Sequence, residues 1–213
     1  MEFYKKFKRI IYVGLLPSLR VIKYLNWLVY LNTKEEINLL VGAGTTNFKN
    51  WFATDKDTLD ITKESDFEKY FTKKKINKVL AEHVLEHLTQ NDLEMMLHNF
   101  YKYSSQNINI RIAVPDGFHS DPQYVERVKS GGIGEGAEDH KHLFNYRSLS
   151  ELFGNFGFIA HPLEYWDENK KFNTKYKNDD KGYILRSFIN DDRNKDGLPH
   201  YTSLIIDFTK NDN

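Results

Sequence analysis

The sequence contains no cysteine, which excludes a disulfide framework and a thiolate metal site. Positive and negative charge balance, with 30 lysines and arginines against 30 aspartates and glutamates. The chain therefore has no net positive charge to attract nucleic acid. Uncharged runs near the start, residues 10–19 and 24–33, are too short to cross a bilayer. These absences predict a cytoplasmic protein and disfavour a nucleic-acid partner.

The first 31 residues are basic and otherwise rich in apolar side chains. Their charged residues are Lys5, Lys6, Lys8, Arg9, Arg20 and Lys23 against the acid Glu2. A basic start and an apolar stretch are typical of a signal peptide, but Arg20 and Lys23 follow directly without a small-residue cleavage site. We expect residues 1–36 to form a basic helical segment packing on the main domain. The alternative is an amphipathic patch on an anionic membrane surface, peripheral to the inner membrane face.

Apolar stretches and helical patterns alternate after residue 36, which predicts a single α/β domain over residues 37–213. The expected strands are Ile37–Val41, Trp51–Thr54, Val79–Ala81, Asn107–Val114, Phe158–Tyr165 and Thr202–Phe208. Helices are expected over Leu88–Tyr103, with Thr89 or Asn91 as cap, and over Tyr146–Phe156. Residues 167–198 form a polar insertion in which Ile184–Ile189 is a candidate strand.

The stretch from Ile37 to Asp55 is the clearest sign of a ligand site. An apolar strand runs into Gly42 and Gly44, which permit a tight turn and close ligand approach. A second short strand ends at Asp55, where an acceptor for ribose hydroxyls belongs, since ligands of open α/β sheets bind at carboxyl ends of strands. Asn47 replaces the third glycine of a dinucleotide fingerprint, and no full helix fits before Asp55, so a nucleoside without pyrophosphate is favoured. An ordinary strand-to-loop turn is the alternative.

Several segments, in their order, resemble the class I S-adenosylmethionine-dependent methyltransferases. They are GAGTTN at 42–47, Asp55, DIT at 60–62, EHVLEHL at 82–88, IRIAVPDG at 110–117 and HKHLFNYRSLSELFGNFGF at 140–158. Within this class the similarity is greatest to a small "predicted methyltransferase" group, type 11-like, that is associated with surface-glycan or small-molecule modification. The resemblance covers residues 37–210. It implies a Rossmann-like, mostly parallel seven-stranded sheet with an antiparallel last strand, helices on both faces, and S-adenosyl-L-methionine as cofactor.

The resemblance also implies which residues hold that cofactor. They are Gly42, Ala43, Gly44, Thr45, Asp55, Asp60, Ile61, Glu82 and His83. In the family pattern Asp60 accepts from the adenine amine and Ile61 packs on the ring. The alternative for Asp60 is a turn acid.

EHVLEHL also contains the pattern HxxEH, formed by His83, Glu86 and His87. On one helix both imidazoles would face a zinc ion with Glu86 as general base, which makes a zinc metallohydrolase the alternative function. Against it, the strand ending at Glu82 places His83 in a loop, and no third ligand is evident. A bound metal is therefore not expected, and Glu86 and His87 are expected to begin the next helix.

The candidate catalytic residues lie in IRIAVPDG and directly after a glycine-rich stretch. Residues 118–139 contain GGIGEG and are expected to form a lid. His140 is the first candidate for a base, with His142 and Asp116 as further candidates, because imidazole can accept a hydroxyl proton near neutral pH. A structural hydrogen bond is the alternative for both histidines. The expected acceptor is a small molecule or sugar methylated on oxygen or nitrogen, with surface polysaccharide biosynthesis as context; a non-catalytic cofactor-binding scaffold is the third reading.

Overall fold

The computed structural model describes residues 21–211 of the chain. The chain divides into two compact units, Met1–Glu35 and Glu36–Asn213. In the first unit, residues 21–33 are helical and are called α1. The rest of the predicted basic segment, residues 1–20, lies outside the described residues, as does most of the proposed membrane-contact patch. Within residues 21–211, no helix combines the length and apolar character needed to cross a membrane.

The second unit alternates strands and helices, as the sequence predicts. Its strands are β1 (Ile37–Val41), β2 (Phe52–Thr54), β3 (Ile76–Glu82), β4 (Ser104–Pro115), β5 (Phe158–Trp166), β6 (Phe172–Thr174) and β7 (Ser203–Lys210). Its α-helices are α2 (Glu64–Phe71), α3 (Gln90–Tyr103), α4 (Pro122–Val128) and α5 (Tyr146–Gly154). Short 3-10 helices cover Leu85–His87, Ala137–Asp139 and Asp192–Asn194.

The strands form one seven-stranded sheet in the order β2-β1-β3-β4-β7-β5-β6. Strands β2, β1, β3 and β4 pair in parallel, whereas β7 is antiparallel to both β4 and β5. This confirms the predicted fold class, including the antiparallel last strand. The chain passes from β1 to β2 on one side and then returns to β3 on the other side of β1. Ligands of open α/β sheets bind at such a reversal of strand order.

Local sequence explains where α3 begins. Thr89 accepts a hydrogen bond from the Asp92 backbone N–H, and the Asp92 carboxylate accepts from the Thr89 backbone, which forms a capping box. The predicted cap is therefore confirmed. Leu93, Met96 and Phe100 are buried at helical spacing. The cap fixes the entry to α3, and thereby the position of the EHVLEHL segment that precedes it.

The polar insertion covers one face of the sheet. Tyr176 and Ile184 are buried against a cluster that includes Leu40, Leu80 and Ala113. The predicted strand Ile184–Ile189 is wrong, since this stretch is irregular and the strand of the region is β6. Its backbone N–H groups at 184 and 188 bond instead to side chains, so no neighbouring strand is needed.

Candidate cofactor and acceptor site

The turn after β1 takes the conformation that its glycines allow. Gly42 and Gly44 have φ of +61° and +54°, in the left-handed region that favours glycine. A Cβ on Gly42 would lie 2.5 Å from Val84 Cγ2, so the ends of β1 and β3 are in close contact. The Gly44 N–H donates to Asp55 Oδ1 at 3.0 Å, which ties the turn to the end of β2. The glycines thus form the floor of the crevice where the strand order reverses.

A cavity of about 200 Å³ lies beside this turn; we call it the Asp60 cavity. Its lining includes Gly42, Asp55, Leu59, Asp60, Ile61 and Leu88. Burial alone raises the pKa of Asp60, but hydrogen bonds from Thr62 and the nearby Lys63 ammonium bring its pKa below the usual value. An ionised acceptor beside Leu59 and Ile61 suits a flat heteroaromatic ring that carries an amino group.

A second cavity, of about 350 Å³, lies on the other side of the glycine turn; we call it the Gly44 cavity. Its lining includes Gly42, Gly44, Thr45, Glu82, His83 and Arg186. The Glu82 carboxylate accepts from the backbone N–H groups of Leu185 at 3.0 Å and Arg186 at 2.7 Å. The end of β3 therefore holds the polar insertion against this cavity.

All nine predicted cofactor residues line one of these two cavities. Gly42 lines both; Ala43, Gly44, Thr45, Glu82 and His83 line the Gly44 cavity; Asp55, Asp60 and Ile61 line the Asp60 cavity. The sequence analysis missed Val84 and Leu88, which the EHVLEHL motif contains, and Leu185, for which the sequence carries no signal. That the nine predicted residues bind the cofactor stays a prediction.

A third cavity, of about 500 Å³, is called the His140 cavity. Its lining includes His83, Glu86, His87, Arg127, His140 and Arg186. It shares His83 and Arg186 with the Gly44 cavity, so the two adjoin. The three cavities form a continuous series along the carboxyl edge of the parallel strands.

Glu86 and His140 face one another in this third cavity. The Glu86 side chain is 1% exposed, and neither of its oxygens has a hydrogen-bond partner among the described residues. Burial opposes ionisation, but the His83 imidazole, with Nδ1 at 3.2 Å from Oε1, brings the pKa of Glu86 below its usual value. This contact is close but is not aligned as a hydrogen bond. His140 Nδ1 lies 2.7 Å from the Val128 carbonyl, which can only accept, so in the neutral imidazole the lone pair is on Nε2, 4.0 Å from Glu86 Oε1.

Asp116 and His142, the other two catalytic candidates, do not line these three cavities. Asp116 is fully buried, and its carboxylate accepts from the backbone N–H groups of Phe118 at 2.9 Å and Trp166 at 2.8 Å. Burial raises the pKa of Asp116 to about 6. The His142 ring stacks on Phe144 with a centroid distance of 5.2 Å. In this arrangement Asp116 joins the end of β4 to β5, and His142 packs on Phe144 in the loop before α5.

The HxxEH pattern does not form the helix that a zinc hydrolase needs. His83 has φ of +54°, and the following 3-10 helix covers only Leu85–His87. Helix α3 begins at Gln90, so the expectation that Glu86 and His87 begin it is wrong. His83 and His87 therefore do not share one α-helical face, and the zinc metallohydrolase alternative is not supported.

The glycine-rich stretch is a compact wall of the His140 cavity. The Gly134 N–H donates to the Arg127 carbonyl at 2.9 Å. A Cβ on Gly132 would lie 2.5 Å from the same carbonyl oxygen, so glycine is needed there. Gly134 and Gly136 line the cavity directly. Its opening and closing as a lid stays a prediction.

Comparison with known proteins gives matches at the level of structure. No protein-family model matches the chain, and no curated protein matches its sequence. An Archaeoglobus fulgidus SAM-dependent methyltransferase is 15% identical, with TM-score 0.45 and coverage of 98% of each chain. Magnesium protoporphyrin IX methyltransferase (ChlM) from Synechocystis PCC 6803, solved with bound SAH, is 10% identical, with TM-score 0.42 and coverage of 99% of this chain and 89% of ChlM.

A third structure, LepI in complex with SAH and a substrate analogue, is 10% identical with TM-score 0.43. The match covers 88% of this chain and 39% of LepI, so the chain spans about two fifths of that protein's length. All three likenesses lie below 25% identity and below a TM-score of 0.5. The fold and the site therefore rest on the strand order and the side chains of this chain.

Proposed function

We propose that this protein is an S-adenosylmethionine-dependent methyltransferase that methylates an oxygen or nitrogen atom of a small polar molecule, in particular a sugar of surface polysaccharide biosynthesis. One observation carries the proposal: three adjoining cavities follow the strand edge, two beside the glycine turn and one lined by histidines and arginines. His83 lines both the Gly44 cavity and the His140 cavity. A group transferred between two bound molecules must cross such a junction.

The first two cavities fit the parts of the cofactor. The apolar side chains of Leu59 and Ile61 beside the Asp60 carboxylate suit adenine, and Asp55 suits the ribose hydroxyls. The Gly44 cavity is more polar and suits the methionyl group. The turn leads into β2 without a helix, so it lacks the helix N-terminus that a pyrophosphate would require.

The third cavity fits a polar or anionic acceptor. Arg127 and Arg186 line it, and within residues 21–211 neither forms a salt bridge at 4.0 Å or less, although the Arg186 charge lies near Asp191. Arg193 is already paired with Asp191 and lies over the Tyr201 ring. Free guanidinium groups bind carboxylates, phosphates and sugar hydroxyls.

When bound, S-adenosyl-L-methionine supplies a methyl group on a sulfonium, and the carbon–sulfur pair stays on sulfur as the acceptor lone pair forms the new bond. The chain's own residues hold the acceptor in line, and orientation of this kind supplies much of the rate. His140 Nε2 lies in the acceptor cavity, and in the neutral imidazole it has the lone pair that would accept the proton that the hydroxyl or amine loses.

A methyl-transfer screen tests this proposal. The protein is incubated with S-adenosylmethionine labelled in the methyl group and with sugars, sugar phosphates, nucleotide sugars or amines. We expect acceptor-dependent formation of S-adenosylhomocysteine, reduced in His140→Asn and retained in the matched control His142→Asn. Binding of S-adenosylhomocysteine without turnover on any acceptor class would favour the scaffold alternative, and no binding by folded protein would overturn the proposal.

A further inference from the structure

Glu86, His87 and His140 bring three potential metal ligands together on the wall of the His140 cavity. One ligand atom from each residue lies within 4.8 Å of the other two. Two imidazoles and a carboxylate suit divalent first-row transition metals. We propose that these three residues bind one such ion and that oxygen atoms of the methyl acceptor complete its coordination. The acceptor's part in this rests on the proposed function, whereas binding of the ion does not.

The unsatisfied carboxylate of Glu86 is the first support. It is 1% exposed and lines the cavity, yet neither oxygen has a hydrogen-bond partner among residues 21–211. Buried carboxylates in folded proteins are hydrogen-bonded, paired or coordinate metals, and here the nearby His83 imidazole is not aligned to donate a hydrogen bond. A divalent cation would satisfy both oxygens.

The second support for the metal site is that each of the three proposed ligands has a neighbouring group that can orient it. Metal-binding histidines usually donate their other ring N–H to a carbonyl or carboxylate. His140 Nδ1 contacts the Val128 carbonyl at 2.7 Å, and His87 Nδ1 lies 3.5 Å from Asp139 Oδ2. His83 Nδ1 lies 3.2 Å from Glu86 Oε1. Each proposed ligand thus has a group that orients it.

The three ligand atoms must move closer together to bind one ion. Two atoms bound about 2.1 Å from a tetrahedral ion lie about 3.4 Å apart. Glu86 Oε1 and His140 Nε2 are 4.0 Å apart, and the ligand atoms of all three residues lie within 4.8 Å of one another, so they would have to approach by about 0.6 to 1.4 Å. Three protein ligands leave coordination positions that face the cavity, as in catalytic metal sites.

This ligand set differs from the HxxEH pair of a zinc hydrolase. His140, from the loop after the glycine-rich stretch, replaces His83, which becomes an orienting neighbour of Glu86. An ion here would bind an acceptor hydroxyl and make it more acidic. With an ion bound, His140 Nε2 would be a ligand and the hydroxyl proton would pass to water; His140 would accept that proton only in the metal-free protein.

Titration with Co²⁺ tests the site. The full chain without a histidine tag is treated with EDTA and desalted, and Co²⁺ binding is followed by calorimetry and by the visible d–d absorption of the ion. We expect one ion per chain, with affinity lowered at least about 100-fold in Glu86→Gln and His140→Ala and about ten-fold in Asp139→Asn. His98→Ala, which changes an exposed histidine on α3, serves as the matched control and should bind as wild type does.

Thermal melting separates loss of the site from loss of the fold. Without metal, Glu86→Gln keeps the size and shape of the side chain but loses the charge that faces His83, so it should unfold cooperatively at or somewhat below the melting temperature of wild type. Co²⁺ should raise the melting temperature of wild type but not of this variant. Equal Co²⁺ binding by wild type and both ligand variants, or none by folded wild type, would overturn the metal site. Titration of the same samples with S-adenosylhomocysteine distinguishes this failure from failure of the proposed function.

Discussion

The carboxylate of Glu82 accepts a hydrogen bond of 2.7 Å from the backbone N–H of Arg186. Its other oxygen accepts from the Leu185 N–H at 3.0 Å. Because Leu185 and Arg186 line the Gly44 cavity, this one side chain completes the cavity with residues far along the chain. The polar insertion is therefore part of the proposed cofactor site.

Glu82→Gln should weaken cofactor binding. An amide offers one acceptor where the carboxylate offers two, so one backbone N–H loses its partner and Leu185 or Arg186 moves from the cavity. We expect S-adenosylhomocysteine affinity to fall about ten-fold, roughly 1.4 kcal/mol. Calorimetry measures this, with Glu94→Gln on the exposed face of α3 as control; equal affinities for both variants would contradict the role of Glu82.

Gly42→Ala should destabilise the fold more than Gly44→Ala. Both residues have positive φ, so alanine costs roughly 1–2 kcal/mol of backbone strain at either position. Only at Gly42 would the added Cβ also meet Val84, at 2.5 Å, whereas Gly44 has open space. Urea unfolding compares the two variants. Equal losses in the free energy of unfolding would show that β1 and β3 are not in close contact there.

Arg111→Met should be strongly destabilising. The Arg111 side chain is 1% exposed and pairs with Asp207 at 2.7 Å and Asp179 at 2.7 Å, which joins β4 to β7 and to the insertion. Removing one partner of a buried pair costs about 3–5 kcal/mol. Arg147→Met, which removes an exposed partner of Glu168, should cost less than about 1 kcal/mol. Similar urea midpoints for the two variants would contradict the structural role of Arg111.

Glu164→Gln should change how stability depends on pH. Burial raises the pKa of Glu164 from 4.5 to about 8. Hydrogen bonds from the Phe188 N–H and the Thr174 hydroxyl lower the pKa, but by less than burial raises it. The folded state therefore holds this proton more firmly than the unfolded state. The resulting stability is complete below about pH 4.5 and is lost as pH rises through about 8.

The variant lacks this loss, so its free energy of unfolding relative to wild type should rise steadily from about pH 5 to about pH 8. Urea unfolding at several pH values measures the difference. Glu168→Gln, at an exposed position near the same hairpin, should show no such trend. A difference that stays constant with pH would mean that Glu164 does not retain its proton in the folded state.

The sequence predicts the strand edge well because the information is local. Apolar runs end at Gly42, Asp55 and Glu82, and parallel strands place these ends on the same edge of a sheet. Thr89 is predictable as a cap for the same reason, since its partner Asp92 lies within one turn. An α/β sheet with a ligand site at this edge follows from such signals, whereas the seven-stranded order and the full set of cofactor residues are what the resemblance to methyltransferases implies.

Contacts between distant segments are what the sequence does not reveal. Tyr176 packs on the sheet and Leu185 lines the Gly44 cavity, and both belong to an insertion without hydrophobic periodicity. The Asp116 carboxylate accepts a hydrogen bond from the Trp166 N–H in β5. The position of an acid at the end of a strand does not predict such a partner. His83 has a positive φ and interrupts the helix that HxxEH would need, while His140 reaches Glu86 from another loop.

The central claim is that the cavities beside the glycine turn bind the nucleoside of S-adenosylmethionine. Calorimetric titration of EDTA-treated protein with S-adenosylhomocysteine tests it most directly. We predict one-to-one binding, weakened at least about ten-fold in Asp55→Asn, which keeps an acceptor for the Gly44 N–H but places an amide before the ribose. Asp57→Asn, at the exposed neighbouring acid, should bind as wild type does. No binding by folded wild type, or equal binding by all three proteins, would contradict the account.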